Sequence, residues 1–286
     1  MKRRILAALL ALTLLLGATA TACAEKKSGE WYNILLLGTD VRDTDANGRS
    51  DSMIVLSVNF DTREAKLTSF MRDIWVKMPG RKKENKLNTA CYFGGPELTM
   101  ATLNAYFDLD LKYYAMVNLN CMADIIDILG GLPLDVTEAE RKALNKGLFD
   151  LSSRSGMEKL QKSGKQVLLN GNQAVAYARI RQIDSDYQRT VRQRTVLTAI
   201  AKRLQSEDPL TVMSVVTAMT QYVKTNLTLQ QMAALAALGF QLDMNEVQQL
   251  RVPADKTYKD GMYKGVWCIR PDFAKNKKLV RKFIYG

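Results

Sequence analysis

Residues 53–70, Met53-Ile54-Val55-Leu56-Ser57-Val58-Asn59-Phe60-Asp61-Thr62-Arg63-Glu64-Ala65-Lys66-Leu67-Thr68-Ser69-Phe70, read as two strands joined by a tight turn. Met53 to Asn59 is the first strand, Ala65 to Phe70 the second, and Asp61-Thr62-Arg63-Glu64 carries the turn between them. With the turn centred near Thr62, residues whose numbers sum to roughly 124 face each other across an antiparallel pair. Asp51, just ahead of the first strand, then falls opposite Arg72 or Asp73 at the open end of the hairpin. Upstream, Tyr32 to Gly38 is a continuous apolar run ending in Thr39-Asp40, as expected of a buried central strand. Charged residues distant in sequence (Asp40, Arg49, Asp51, Arg72 and Asp73) therefore converge on one sheet edge. A polar strand end explains any one of them, but it is a weaker account of all of them together.

The pattern downstream sets the fold class. Pro96 opens a helix to about Phe107, proline being tolerated in a first helical turn. A strand follows at Lys112–Leu119, then a helix at Met122–Leu129 stopped by Gly130-Gly131, then a short strand at Leu132–Val136. This alternation predicts an α/β fold, a central mixed sheet layered between helices. Arg81 to Lys86 reads as a solvated basic loop, and residues 138–163, polar with few apolar anchors, as a flap. Asn170-Gly171-Asn172 caps a helix leading into Tyr177. Further helices are expected at Asp186–Leu204, Val212–Lys224 and Thr228–Gly239, the last with Thr228 as N-cap. A strand at Val266–Arg270 and a basic amphipathic helix at Phe273–Phe283 close the chain.

The segment from Val175 to Arg194 carries Arg179, Arg181, Arg189, Arg192 and Arg194 with Asp184 and Asp186, and no lysine. Guanidinium forks grip phosphate oxygens two at a time, whereas an ammonium acts as a point charge. In a helix starting at Asp186 the apolar stripe is Val196, Ile200 and Leu204, and Arg189 lies on its centre line. An arginine aimed at the interior needs an anion there. Arg42, Arg192 and Arg194 read equally well as neighbours of that anion and as surface residues.

Composition narrows the chemistry. The 286-residue chain has a net charge of +12 and no histidine. That absence removes Ser-His-Asp and Cys-His catalysis and every imidazole ligand or base. There is no Walker loop, no Gly-x-Gly-x-x-Gly and no Cys-x-x-Cys pair, so acid–base work falls to carboxylates, with arginines, alone or with a metal ion, supplying positive charge. Cys91 and Cys121 are candidates for a disulfide. Residues 1–24 have the layout of an export signal: Lys2, Arg3 and Arg4, an apolar run from Ile5 to Leu16, then small residues. Lipidation at Cys23, ordinary cleavage and an uncleaved anchor each fit, and each puts the body of the protein outside the cytoplasmic membrane.

Several motifs together resemble the LytR-CpsA-Psr family of bacterial cell-envelope proteins. They are Leu37-Gly38-Thr39-Asp40, Gly48-Arg49-Ser50-Asp51-Ser52-Met53, Ser69-Phe70-Met71-Arg72-Asp73, Lys86-Leu87-Asn88, Gly130-Gly131-Leu132-Pro133-Leu134-Asp135-Val136, and Leu169-Asn170-Gly171 through Arg194. Met71 and Ile74 stand where the family often has proline and threonine. The resemblance implies an α/β/α catalytic domain over residues 31–286, outside the cell, behind a linker at 25–30 and a membrane-targeting segment at 1–24. It implies transfer of a glycopolymer, such as wall teichoic acid or capsule, from a polyprenyl-pyrophosphate carrier to peptidoglycan. Magnesium or manganese is the implied cofactor, on Asp40 and Asp51. Arg49, Arg72, Arg179, Arg181 and Arg189 are the implied pyrophosphate ligands, with Asp186 orienting an arginine among them and Asp73 in a supporting place beside Arg72. The implied partners are the lipid-linked glycan, peptidoglycan and the membrane; no nucleic acid is expected. Hydrolysis of a lipid pyrophosphate, glycopolymer binding without turnover, and transcriptional regulation are the alternative readings.

Overall fold

The strand Trp31–Thr39 (β1) sits at the centre of a six-stranded sheet because its side chains are apolar on both faces. It pairs antiparallel with Ser50–Asn59 (β2) and parallel with Tyr113–Asn118 (β6). Beyond β2 lies Glu64–Phe70 (β3), antiparallel to it, and beyond β3 the parallel strand Gln248–Val252 (β10). Lys224–Thr225 (β9) completes the other edge against β6. The sheet is therefore mixed, in the order β10-β3-β2-β1-β6-β9. This computed structural model describes residues 30–39, 48–148, 158–208, 211–212, 215 and 223–286. The expected targeting segment with Cys23, the expected linker up to Gly29, Asp40 and Arg42 lie outside the described residues.

The period-two alternation of the strands builds two different faces. Leu35, Leu37, Met53 and Val55 pack with Phe70 against the helices Thr89–Phe107 (α1) and Phe273–Tyr285 (α7), through Leu103, Phe107, Val280 and Ile284. At ~1.5–3 kcal/mol per fully buried large apolar side chain, this is a principal core. The residues between them, Ile34, Leu36, Ile54 and Leu56, face the other way, into a cavity covered by the helices Asp186–Ser206 (α5) and Leu229–Gly239 (α6). Helices thus flank the sheet on both sides, as the α/β reading expected.

The hairpin register comes within one residue of expectation. Ile54 pairs with Ser69 and Val58 with Ala65, sums of 123. The strand β2 begins at Ser50, so Asp51 lies inside it rather than ahead of it. Helix α1 begins at Thr89, earlier than Pro96. Its backbone departs from helical geometry at Gly94 and Gly95, so Pro96 starts the second segment.

Residues 138–163 are not a polar flap where they are described. Glu138–Leu148 (α3) buries Leu144 and Leu148, and Leu160 joins the same core. That second core also takes in Leu119–Ile128 (α2), the ribbon of Leu132–Val136 (β7) with Gly164–Leu169 (β8), and Gly171–Arg179 (α4). The turn that starts α4 is fixed by Asn170 and Gln173, which form a reciprocal capping box. Gly171 permits α4 to touch α2: a Cβ there would meet the Ala123 carbonyl oxygen at 2.1 Å.

In the predicted helix 212–224, residues 211, 212 and 215 are helical, residues 209–210, 213–214 and 216–222 lie outside the described residues, and Lys224 belongs to β9 instead. Two short ribbons complete the fold. One joins Trp75–Val76 (β4) to Asn85–Lys86 (β5), the other Tyr258–Tyr263 (β11) to Val266–Pro271 (β12). Cys91, Cys121 and Cys268 are buried and none of them is in a disulfide, so the one considered for Cys91 and Cys121 is absent.

Candidate functional site

The open end of the β2–β3 hairpin, the N-terminus of α5 and the segment after α4 meet at one end of the sheet. The register places Asp51 across from Arg72, and Arg72 Nη1 donates to Asp51 Oδ1 at 2.8 Å. Asp73, only 6% exposed, is ion-paired with Lys86 Nζ at 2.6 Å through one oxygen and faces Arg72 Nε at 3.3 Å with the other. Its own backbone carbonyl accepts from the Ile269 amide, which ties the site to β12. Asp73 thus holds Arg72 and Lys86 in place rather than facing open space.

Helix α5 delivers the second half. Ser185 caps its first turn, and Asp186 occupies the position where a carboxylate favours the helix dipole. Arg189 is 4% exposed, on the inward stripe as expected. Its Nη2 donates to Asp186 Oδ2 at 3.0 Å, and Nη1 stands 3.8 Å from Asp51 Oδ2. Arg189 Nε lies 2.9 Å from Asp186 Oδ1, yet neither atom is hydrogen-bonded, because the approach is too bent. Arg72 Nε is likewise buried without a hydrogen-bond acceptor. Both guanidinium groups therefore carry an Nε–H that is ion-paired with a carboxylate (Asp186 for Arg189, Asp73 for Arg72) but poorly aligned for a hydrogen bond, so the cluster holds positive charge that its carboxylates satisfy only in part.

The electrostatics agree. Burial pulls the Arg189 guanidinium below its ordinary pKa and the Arg72 charge adds to this, with Asp186 and Asp51 only partly opposing. Arg72 moves the other way: burial disfavours its charge, but Asp51, Asp186 and Asp73 outweigh that. Burial raises the Asp51 carboxyl, and Arg72 and Arg189 more than reverse it, so Asp51 is held below the usual carboxylate range.

Two cavities open on this cluster, sharing Arg72 and Arg181 and no other lining residue. The larger, about 640 Å³, runs between the sheet and helices α5 and α6. Its walls are aliphatic, among them Ile34, Leu36, Ile54, Leu56, Leu197 and Leu235, and its charged end is formed by Asp51, Arg72, Arg179, Arg181 and Arg189. The smaller, about 410 Å³, is polar and includes Arg49, Asn85, Lys86 and Asn88. Arg49, Arg179 and Arg181 are exposed at the rims, while Arg72 and Arg189 form the floor.

The residues proposed from sequence are thus brought together wherever they are described; Asp40 lies outside the described residues. Lys86 needs correcting. It is not part of a solvated loop, because pairing of β4 with β5 turns it onto Asp73. Arg192 and Arg194 also differ from the surface reading, at 6% and 7% exposed. Arg192 is hydrogen-bonded to Asp184, to Glu140 and to the Ile180 carbonyl, and Arg194 to Gln249 and Ser69. Both are structural clamps. The clamp partners Glu140, Gln249 and Ser69 are far away in sequence, and no local signal marks them.

Among the described residues no group of three or more acidic or thiol side chains forms a metal cage. Asp51 alone still suits a hard cation in one respect: its side chain is 37% exposed, and Oδ2 stands 3.8 Å from Arg189 Nη1. Magnesium characteristically takes one or two carboxylates together with substrate phosphates.

An apolar cavity closed at one end by buried arginines and carboxylates, within an α/β/α domain, defines a protein shaped for an amphiphilic anion. The chain belongs to the LytR_cpsA_psr family, whose pattern matches residues 16–279. It is 33% identical over 235 residues to the polyisoprenyl-teichoic acid–peptidoglycan teichoic acid transferase TagU of Bacillus mycoides strain KBAB4, covering 81% of this chain and 72% of that one. The TagU of Bacillus licheniformis is 31% identical over 236 residues, covering 81% and 71%. Among solved structures, TagT bound to LI-WTA superposes with a TM-score of 0.73 at 27% identity, covering 92% of this chain and 94% of that one.

Proposed function

We infer that this protein transfers a glycopolymer from a polyprenyl-pyrophosphate carrier to peptidoglycan, releasing polyprenyl phosphate. The observation that carries this reading is the junction of the 640 Å³ aliphatic cavity with a charged end formed by Arg72, Arg179, Arg181 and Arg189. A polyprenyl chain fits the cavity and a diphosphate fits the arginines. Its similarity to the TagU transferases and to TagT bound to LI-WTA supports the same substrate class, with wall teichoic acid the first polymer to try.

The reaction balances without a covalent enzyme intermediate. A sugar hydroxyl oxygen bonds to the glycan-bearing phosphorus, and the bridging P–O bond to the lipid-bearing phosphate breaks. The electron pair leaves on polyprenyl phosphate, which also takes up the hydroxyl proton. Such phosphoryl transfer asks mainly for positioning and charge neutralisation. Arg72 and Arg189 would bind the diphosphate from below, Arg179 and Arg181 from the rim beside the lipid, and Arg49 from the polar side. Asp186 holds Arg189 in its rotamer, and Asp73 does the same for Arg72. Asp51, kept ionised by its arginines, would hold magnesium or manganese together with Asp40 and the diphosphate oxygens. The metal would add positive charge where negative charge develops on the leaving phosphate. Residues 1–24 would keep the domain at the outer face of the cell membrane, where both substrates lie.

The test is reconstitution with a polyprenyl-pyrophosphate-linked glycan, with and without peptidoglycan oligomers. A glycan–peptidoglycan product that disappears in Asp51→Ala and Arg189→Ala is expected. Release of glycan phosphate to water alone, unaffected by acceptor, would replace the transferase with a hydrolase.

A further inference from the structure

The end of the sheet opposite the Arg72–Arg189 cluster is ringed by half-buried aromatic side chains. Trp31 and Tyr32 open β1 and, by strand alternation, belong to opposite faces. On the cavity face Tyr32 stacks on Tyr113 of β6 at 4.6 Å and meets Phe60, just past β2, edge-on at 6.2 Å. Tyr32 and Phe60 pack in one cluster with Leu238, which brings the C-terminus of α6 to this end. Phe240, at that terminus, lines the aliphatic cavity and is nevertheless 45% exposed, so the cavity reaches the surface here. On the other face Lys66 Nζ donates to the Ile284 carbonyl of α7 and lies over the rings of Trp31 and Phe283, at 4.3 and 5.8 Å. The hydroxyl of Tyr285 accepts from Asn33 Nδ2 at 2.8 Å, and the Arg281 guanidinium stands over the Tyr285 ring.

Half-buried rings with polar tips, beside cations whose stems lie along them, are the side chains that suit a membrane–water interface. Net charge does not distinguish this end. Asp108 is paired with Arg281 and Lys277, and Asp110 with Lys112, while Asp61 and Glu64 flank the exposed Arg63 in the hairpin turn. The fit is therefore to the interfacial layer itself and not to a strongly anionic surface. The start of β1 gives a second, independent reason. Residues 25–30, the expected linker, can carry Trp31 no further than ~20 Å from the expected membrane segment, whatever path they take.

We propose that this aromatic end of the sheet docks on the lipid bilayer, with the mouth of the aliphatic cavity at Phe240 opening onto the interface. The inference rests on the transferase reading, which puts the chain at the membrane surface. It adds an orientation and a route for the carrier lipid. The strand from Asp51 to Asn59, at ~3.3 Å per residue, holds the arginine site roughly 26 Å beyond the docked end. A polyprenyl tail entering at Phe240 would run up the cavity along the sheet without crossing water. Its diphosphate would stand at Arg72 and Arg189, clear of the headgroups and turned towards the wall.

The experiment uses the full-length chain in vesicles of phosphatidylcholine brominated near the carbonyl end of one acyl chain, which quenches tryptophan fluorescence on contact. Three single-tryptophan chains are compared. Two carry Phe240→Trp or Lys282→Trp with Trp31, Trp75 and Trp267 replaced by phenylalanine; the third keeps only Trp267, on the β11–β12 ribbon beside the polar cavity. Lys282 is exposed on the last turn of α7, so a ring there tests the other face of the belt without touching the cavity. Each chain is first shown to melt as the wild type does. Several-fold stronger quenching at positions 240 and 282 than at Trp267 is expected. Chains that float with the vesicles but show equal quenching at all three positions, or strongest quenching at Trp267, would overturn the docking. Probes at 240 and 282 shielded from lipid in a cross-linkable dimer would assign the belt to a second copy of the chain and equally overturn it. A chain that does not float with vesicles at all would instead remove the membrane setting, and the proposal with it.

Discussion

Arg189 and Arg192 sit three residues apart on one helix, equally buried, and the structure separates them by what surrounds each. Arg192 is fully engaged by Asp184, Glu140 and a backbone carbonyl. Arg189 has one good hydrogen bond, an Nε poorly aligned with Asp186 and a second arginine nearby, and its pKa is lowered first by burial and then by Arg72, against the pull of Asp186 and Asp51. A cation whose folded-state pKa falls below its unfolded value opposes folding at neutral pH. Replacing Arg189 by methionine, similar in length and uncharged, is therefore expected to leave thermal stability unchanged or raise it by about 1 kcal/mol. The same substitution should lower transfer by about a hundredfold or more, the usual effect of losing a charge-stabilising donor. A fall in Tm of several degrees would show Arg189 to be a structural clamp instead. The inward position of Arg189 was legible from the stripe formed by Val196, Ile200 and Leu204. The clamp role of Arg192 was not, because its partner Glu140 is 52 residues away in a segment that reads as polar.

At the scale of elements, hairpins were the readable part. The β2–β3 turn fixes a register that carries Asp51 to Arg72 with no tertiary information. Helix α3 was unreadable because only Leu144 and Leu148 anchor it, and part of its docking is electrostatic. Burial raises the Glu140 pKa, but the Thr137 amide and Arg192 outweigh this, leaving it below its ordinary value of 4.5. A carboxyl with a lowered folded-state pKa contributes stability that is present above its unfolded pKa and is lost as pH falls through the folded value. Stability of the wild type should therefore decline below about pH 4.5, and Glu140→Gln should flatten part of that decline while lowering stability at pH 7. Arg192→Ala, which strands Glu140 and Asp184, is expected to cost about 3 kcal/mol. Urea unfolding of both variants between pH 3 and 7 measures these effects; an acid limb identical in wild type and Glu140→Gln would show that α3 docks without its ion pair. Lys86 was misjudged for a related reason: a two-residue strand such as β5 leaves no periodic signal, so the pairing that turns Lys86 onto Asp73 cannot be read ahead of the fold.

The described residues form a sheet with one face tightly packed and the other lining a cavity beneath its helices, and that difference is invisible in sequence. Ile34, Leu36, Ile54 and Leu56 have the same chemistry as Leu35, Leu37, Met53 and Val55, and strand periodicity treats the two sets alike. What distinguishes them is how far α5 and α6 stand from the sheet, a property of the helices' packing and not of any strand residue. An aliphatic void of about 640 Å³ is a stability cost, since its lining atoms lack packing partners. Filling it should therefore separate stability from function. Ala115 on β6 lines the cavity, and Ala115→Phe would place a ring inside it. The variant is expected to be as stable as the wild type, or more stable by about 1 kcal/mol, because the ring gains contacts without displacing packed neighbours. It should lose long-chain polyprenyl pyrophosphate while still binding a short-chain analogue through Arg72 and Arg189. Native mass spectrometry of lipid retained by each protein, with a thermal melt alongside, reads both effects. Equal retention of long and short chains by Ala115→Phe would mean that the lipid lies elsewhere and that the void has another purpose.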